Sequence, residues 1–344
     1  MNNGIFLTPM VVWAAQITAF LFTRLSQGIE NEHLGCYEAA HISGECAMQA
    51  IIYIKLPEHL LYNADMTKTS LNTATENSMN TKIHLIQTDA FKMQYFRFGA
   101  SGKPPIVIIP GLSVKSVCQS ADAIVDAYRI FDDDYDVYLL DRRSDPPEGY
   151  TVPDMARDTA AAMKALGIYG ASIISVSQGG MIAQILAAEY PELARAVVLG
   201  STVSRVTERS ADRIRAWIDL AEKGDLEALT TAFAEDVYSE QTLKRFMDVI
   251  SASSQGTTKD DLRRFVIFAK AAEGFDFSGR LSGIKCPALV LGGKKDKIFD
   301  EDEIRRLAQK LGCEAYLYEG YGHAVYDEAP DYLKRAYDFF KSCR

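Results

Sequence analysis

IISVSQGGMIAQILAAEYP, residues 173–191, is the stretch that decides the fold. An apolar run ends in Ser175-Val176-Ser177-Gln178-Gly179-Gly180 and passes straight into a helical pattern that Tyr190-Pro191 closes. Strand, sharp turn and helix with a serine at the turn form the setting that exposes a serine hydroxyl above a sheet. Such a turn brings the positions two before and two after the serine close together, so both must be small. Gly179 meets that demand. Ser175 departs mildly from the usual glycine, by one hydroxymethyl group, and is expected to tighten or mis-set the turn. Ser177 would also stand at a helix N-terminus, where free N–H groups favour nearby negative charge. The plainer alternative is that Ser177 only caps the helix, and the residues further along the chain decide between the two.

Working outward, short β-rich runs alternate with helical stretches from residue 80 onward. Strands are expected at 83–87, 91–98, 106–109, 136–140, 172–176, 196–199, 288–291 and 315–318. Amphipathic helices are expected near 116–128, 154–166, 178–190, 302–311 and 330–341. Runs such as IVIIP and ALVLGG are apolar throughout, the pattern of strands buried on both faces in a parallel sheet. Gly167 stands just past one helix end, as a C′ glycine does. The alternation implies an α/β fold with helices on both faces of the sheet. The interval 203–278 breaks the rhythm, being helical throughout (RSADRIRAWIDLAEKG, DDLRRFVIFAKAAEG). An all-helical insertion between two strands reads as a cap over the strand ends, where open α/β sheets bind ligands. Trp217, Phe233, Tyr238, Phe246, Met247, Phe265 and Phe268 are its candidate lining, although most would serve to hold the cap helices together.

A serine hydroxyl needs a base, and a neutral histidine supplies one near pH 7. Of five histidines only His323 follows Ser177; it lies in EGYGHAVYDEAP, a loop between a strand and the last helix. The acid should leave a strand end between the two. Asp296 in ALVLGGKKDK does so, whereas Asp300 and Asp302 read better as the cap and first-turn charge of the helix starting near 301. Beside His323, Asp296 would fix the ring tautomer and stabilise the imidazolium. The other reading of Asp296 is a solvated turn aspartate among three lysines. Donors for a developing oxyanion are expected from the backbone N–H of Gln178 and, after the sharp turn at Gly111 in IIPGLSVKS, from that of Leu112. Loss of one such donor costs about 3 kcal/mol in comparable enzymes.

The residues PGL at 110–112, DRRSD at 141–145, SVSQGG at 175–180, LGGKKD at 291–296 and YGH at 321–323 resemble the α/β-hydrolase superfamily, in particular its small bacterial serine esterases and lactonases with a helical cap. The resemblance covers residues from about 82 to 344. It implies a mostly parallel eight-stranded sheet and a Ser177–Asp296–His323 triad that hydrolyses a carboxylic ester, lactone or thioester through an acyl-enzyme, without a metal or organic cofactor. A serine nucleophile argues against the dehalogenase and epoxide hydrolase members, which react through aspartate. The same triad supports C–C bond hydrolysis, acyl transfer or perhydrolysis in the superfamily. A reading of another class is a non-catalytic binding module, which would tolerate Ser177→Ala.

Composition sets the outer bounds. The 344 residues are 48% hydrophobic and 24% charged, with 37 basic against 46 acidic side chains and a net charge of −9. That is globular composition with no basic block, which argues against nucleic acid as a partner. Cys36, Cys46, Cys118, Cys286, Cys313 and Cys343 are too sparse for a disulfide framework and form no Cys-x-x-Cys pair, so a reducing, cytoplasmic setting is expected. Residues 1–80 stand apart as an atypical extension and linker. Residues 1–23 carry no charge, and 5–22 are mostly apolar, close to the ~20 residues of a membrane span. Pro9 and Gln16 interrupt them, so an apolar leader is expected over a membrane anchor. Residues 63–80 read as linker, with Met66 and Met79 as alternative starts. His33, Cys36, His41 and Cys46 match no standard zinc spacing. The apolar cap favours a small hydrophobic or aromatic acyl substrate over a sugar.

Overall fold

In the computed structural model, which describes residues 81–343, each expected run is a strand. They are β1 (His84–Gln87), β2 (Lys92–Gly99), β3 (Pro105–Ile109), β4 (Asp136–Arg143), β5 (Ala171–Val176), β6 (Ala194–Gly200), β7 (Ala288–Gly293) and β8 (Ala315–Tyr318). One sheet holds them in the order β1-β2-β4-β3-β5-β6-β7-β8. The pairings of β1 with β2 and β2 with β4 are antiparallel, and all others are parallel. The chain steps from β3 to β4 on one side and then crosses to β5 on the other. The switch point therefore opens at the carboxyl ends of β3 and β5, where such sheets bind ligands.

The continuous apolar runs divide between the two faces. Ile106 and Ile108 pack with Phe131, Tyr332 and Phe340 on one side. Val107 and Ile109 pack with Met163 and Ile182 on the other. Alternate residues of a strand point to opposite faces, so a run buried on both sides must be apolar at every position. The helices covering the sheet are α1 (Ala121–Ala127), α2 (Val152–Ala165), α3 (Gln178–Glu189), and, after the insertion described next, α8 (Glu301–Leu311), α9 (Val325–Glu328) and α10 (Tyr332–Ser342). Thr151 and Asp154 close a capping box that starts α2.

Between β6 and β7 the chain forms α4 (Glu208–Lys223), α5 (Leu226–Val237), α6 (Glu240–Ser253) and α7 (Lys259–Glu273). Each start is fixed by a side-chain cap, from Thr207, Asp225, Ser239 and Thr258. The two chains entering and leaving the insertion are clasped where Val206 N–H donates to Phe275 O (2.9 Å) and Phe277 N–H donates to Ser204 O (2.8 Å). This is the helical cap. Among the described residues no helix is long and apolar enough to cross a membrane. The apolar stretch 5–22, the linker 63–80 and the His33, Cys36, His41, Cys46 set lie outside the described residues.

Candidate active site

Ser177 follows β5 with φ 52° and ψ −123°, a left-handed conformation that a non-glycine residue holds only under constraint. Its N–H donates to Gly200 O at the end of β6 (2.9 Å), and its carbonyl accepts from the Gly180 N–H (2.9 Å) and the Thr202 hydroxyl (2.8 Å). A Cβ on Gly179 would overlap the carbonyl oxygens of Ile109 and Pro110, so the helix can leave the turn only with glycine there. Ser175 is fully buried, and its hydroxyl donates to Val198 O on β6 (2.7 Å). The departure at this position is thus absorbed by the sheet, because the hydroxyl turns sideways to a carbonyl rather than into the turn. Ser177 sits at the N-cap position of α3, yet its side chain makes no capping hydrogen bond. The hydroxyl is left for other use.

His323 and Asp296 meet. Nδ1 of the buried His323 lies 2.8 Å from Asp296 Oδ2. The other carboxylate oxygen, Oδ1, accepts the N–H groups of Ile298 (2.8 Å) and Phe299 (2.9 Å). With two backbone donors on one oxygen, the carboxylate acts as acceptor toward the ring, which places the proton on Nδ1 and leaves Nε2 free. Phe299 abuts the imidazole edge-on, with centroids 5.4 Å apart. The His323 backbone is anchored from below by the Ser201 hydroxyl, which donates to its carbonyl (2.6 Å). The next residue ties the loop to the cap, the Ala324 N–H donating to Val237 O (2.8 Å). A Cβ on Gly293 would overlap the carbonyl oxygens of Tyr321 and Gly322. The strand end carrying Asp296 and the loop carrying His323 can cross this closely only because that position is bare.

Ser177 and His323 line one cavity together with Gly111, Leu112, Gln178, Met181, Ile214, Trp217, Phe233, Val237, Ala272, Ile298 and Tyr326. No hydrogen bond joins the Ser177 hydroxyl to the ring in the resting geometry. Leu112 and Gln178 line the same cavity, and their backbone N–H groups have no acceptor among the described residues. Asp300 stands at the N-cap of α8, as expected, but its carboxylate pairs with Arg209 instead of capping. Asp302 is exposed in the first turn of that helix.

The cap aromatics divide. Trp217 and Phe233 line the cavity, and their rings are 4.9 Å apart. Phe268 lines a neighbouring, charged cavity. Tyr238, Phe246, Met247 and the fully buried Phe265 line neither. Sequence reasoning passed over Tyr326, which faces the cavity three residues after His323, and Arg142, which is buried beside it. A signal for Arg142 existed in VYLLDRR, where an otherwise apolar strand ends in three charges.

Residues 104–330, well over half of the chain, match the family pattern described as alpha/beta hydrolase fold. Among curated proteins, the chain is 24% identical over 212 residues to 3-oxoadipate enol-lactonase 2 of Acinetobacter baylyi, spanning 60% of this chain and 76% of that protein. It is 25% identical over 194 residues to 2-hydroxy-6-oxo-6-phenylhexa-2,4-dienoate hydrolase of Comamonas testosteroni, spanning 54% and 68%. Among solved structures, the enol-lactonase from Burkholderia xenovorans LB400 superposes with a TM-score of 0.66 at 22% identity, covering 75% of this chain and 100% of that one.

Proposed function

The chain belongs to the α/β-hydrolase fold family, and from its site we propose that it is a serine hydrolase that opens a carboxylic ester, lactone or thioester through an acyl-enzyme on Ser177. The observation that carries this reading is that His323, paired with the buried Asp296, lines one cavity with a strained, uncapping serine. Nε2 of His323 takes the proton as Ser177 Oγ attacks the acyl carbon, and Asp296 holds the imidazolium that forms. The N–H groups of Leu112 and Gln178 receive the oxyanion. Collapse expels the alcohol or thiol, which leaves with the proton from His323. A water then attacks the acyl carbon and gives its proton to the same nitrogen; the bond to Ser177 Oγ breaks, the serine oxygen takes that proton back from His323, and the acid is released. The relatives named as an enol-lactonase and as a dienoate hydrolase support hydrolysis and leave lactone opening and carbon–carbon cleavage as neighbouring chemistries.

A fluorophosphonate probe, which labels serines activated by a base and oxyanion donors, tests the proposal. Intact mass should show one adduct on the wild type and none on Ser177→Ala. An unlabelled wild type would overturn the acyl-enzyme and favour a binding role for the fold.

A further inference from the structure

A charged chamber of opposite chemistry adjoins the cavity that holds Ser177. It is lined by Lys115, Asp141, Arg142, Arg264 and Phe268, and it shares Gly111, Leu112 and Gln178 with that cavity. Arg142 comes from the end of β4 and is 5% exposed. One of its terminal nitrogens donates to Pro110 O, in the loop that carries the Leu112 N–H. Its Nε and Nη1 are buried and have no acceptor among the described residues, and neither has Nε of Arg264 on cap helix α7. No carboxylate lies within ion-pair distance of either guanidinium among those residues. Asp141 is the one acid in the lining, and its Oδ2 accepts from the Ser116 hydroxyl (2.6 Å). Lys115 reaches across to the carbonyls of Ser253 (3.3 Å) and Gln255 (3.2 Å) on the cap. Three cations therefore face one carboxylate, and the most buried cation holds N–H groups out of water with nothing to bond.

A buried guanidinium left this way is costly unless something completes it. We infer that the charged chamber is an anion subsite, in which Arg142 and Arg264 take a carboxylate carried by the substrate. The inference rests on the serine hydrolase reading, because the shared wall is the pair of expected oxyanion donors. A substrate whose reacting carbonyl points at the Leu112 and Gln178 N–H groups sends an apolar branch toward Trp217 and Phe233 and an acidic branch toward the arginines. Planar N–H forks match a carboxylate better than a lysine alone would. Burial lowers the Arg142 pKa to about 10, so the group stays charged at neutral pH. The substrate class becomes an ester, lactone or thioester that also bears a free carboxylate.

The test compares para-nitrophenyl hemisuccinate, hemiglutarate and hemiadipate with their uncharged counterparts, the butyrate, valerate and hexanoate. Wild type should show the higher kcat/KM on at least one acid of the series, by about 10- to 100-fold over its neutral partner. Arg142→Met and Arg264→Met should each collapse that ratio. Glutarate should raise the melting temperature of the wild type and leave both variants unmoved, a readout that needs no turnover. Neutral esters equal to or better than acids throughout, with no glutarate shift, would overturn the subsite while the hydrolase stands. Absence of both turnover and fluorophosphonate labelling would overturn the hydrolase, and the glutarate shift would then judge the subsite by itself.

Discussion

The floor and the roof of the cavity are built on different logic. The floor is the carboxyl edge of the sheet, where Ser177, Asp296 and His323 are each held by backbone hydrogen bonds to neighbouring strand ends or loops. The roof is the cap, where Trp217 and Phe233 are placed by helix packing and by one another. Triad geometry follows from local chain conformation, and on the proposed mechanism its three groups serve any acyl substrate alike. Roof geometry follows from which helix faces happen to meet, and on the same reading it selects among substrates. Substitutions in the triad should therefore strike turnover across all substrates, and substitutions in the roof should reorder them.

The largest effect should come from the floor. Asp296→Asn keeps the size of the side chain but offers an amide that can donate to Nδ1, which favours the wrong tautomer of His323. In a triad of this design that change lowers kcat by about 10⁴-fold. Steady-state rates on a panel of esters should fall by a common factor, with their order preserved. A drop confined to some substrates would break the division between floor and roof. Rates close to wild type would remove Asp296 from the relay altogether.

The contrast also sets what the sequence could disclose. All eight strands and five of the six helices around the sheet were legible because a strand buried on both faces must be apolar throughout, and helix ends carry caps and C′ glycines; the single-turn α9 (Val325–Glu328) lies in the stretch that reads as a loop. The spacing of Ser175, Ser177 and Gly179 was legible for the same reason: the crossing of Ile109 and Pro110 over Gly179 leaves no room for a side chain. Chain order pointed to Asp296 and His323, since strand ends are where such groups are presented. The cap gave its helical character but not its inner face. Phe265 and Phe268 are three residues apart on one helix, yet one is sealed in the cap and the other lines a cavity. Periodicity says which residues share a stripe and is silent on what the stripe meets. Arg142 was hidden differently, as a charge at a strand end that reads as a solvated loop until the cap is folded over it.

A smaller effect is expected in the roof. Trp217 packs on Phe233 and donates its Nε1–H to Asp236 (3.1 Å). Trp217→Leu removes a ring that lines the cavity, so the cavity enlarges there. One added or missing methylene in such a pocket is worth roughly 10-fold in selectivity. Plotted against acyl length, kcat/KM should move its maximum toward longer chains by about that factor. Labelling by the fluorophosphonate should persist, because the floor is untouched. An unchanged profile would mean that Trp217 only holds the cap together.

The smallest effect lies in the seam between the two regions. On α9 the Glu328 Oε1 accepts the N–H and hydroxyl of Ser239, at the start of cap helix α6 (3.0 and 2.8 Å). Beside it Asp327 is pushed up to about 7, chiefly by burial and next by the charge of Glu328, with a hydrogen bond from Tyr238 opposing. An unfolded aspartate titrates near 3.9, so the folded protein binds this proton more tightly. Its contribution to stability is complete below about pH 4 and is lost as pH rises through about 7. Above that range the fold holds an ionised carboxylate next to Glu328, a repulsion that Asp327→Asn abolishes. Melting temperature should rise in the variant by about 3 °C at pH 8 and by less at pH 5. A gain independent of pH would mean that the seam is limited by packing rather than by charge. A loss confined to pH 8 would mean that the ionised carboxylate holds floor and roof together.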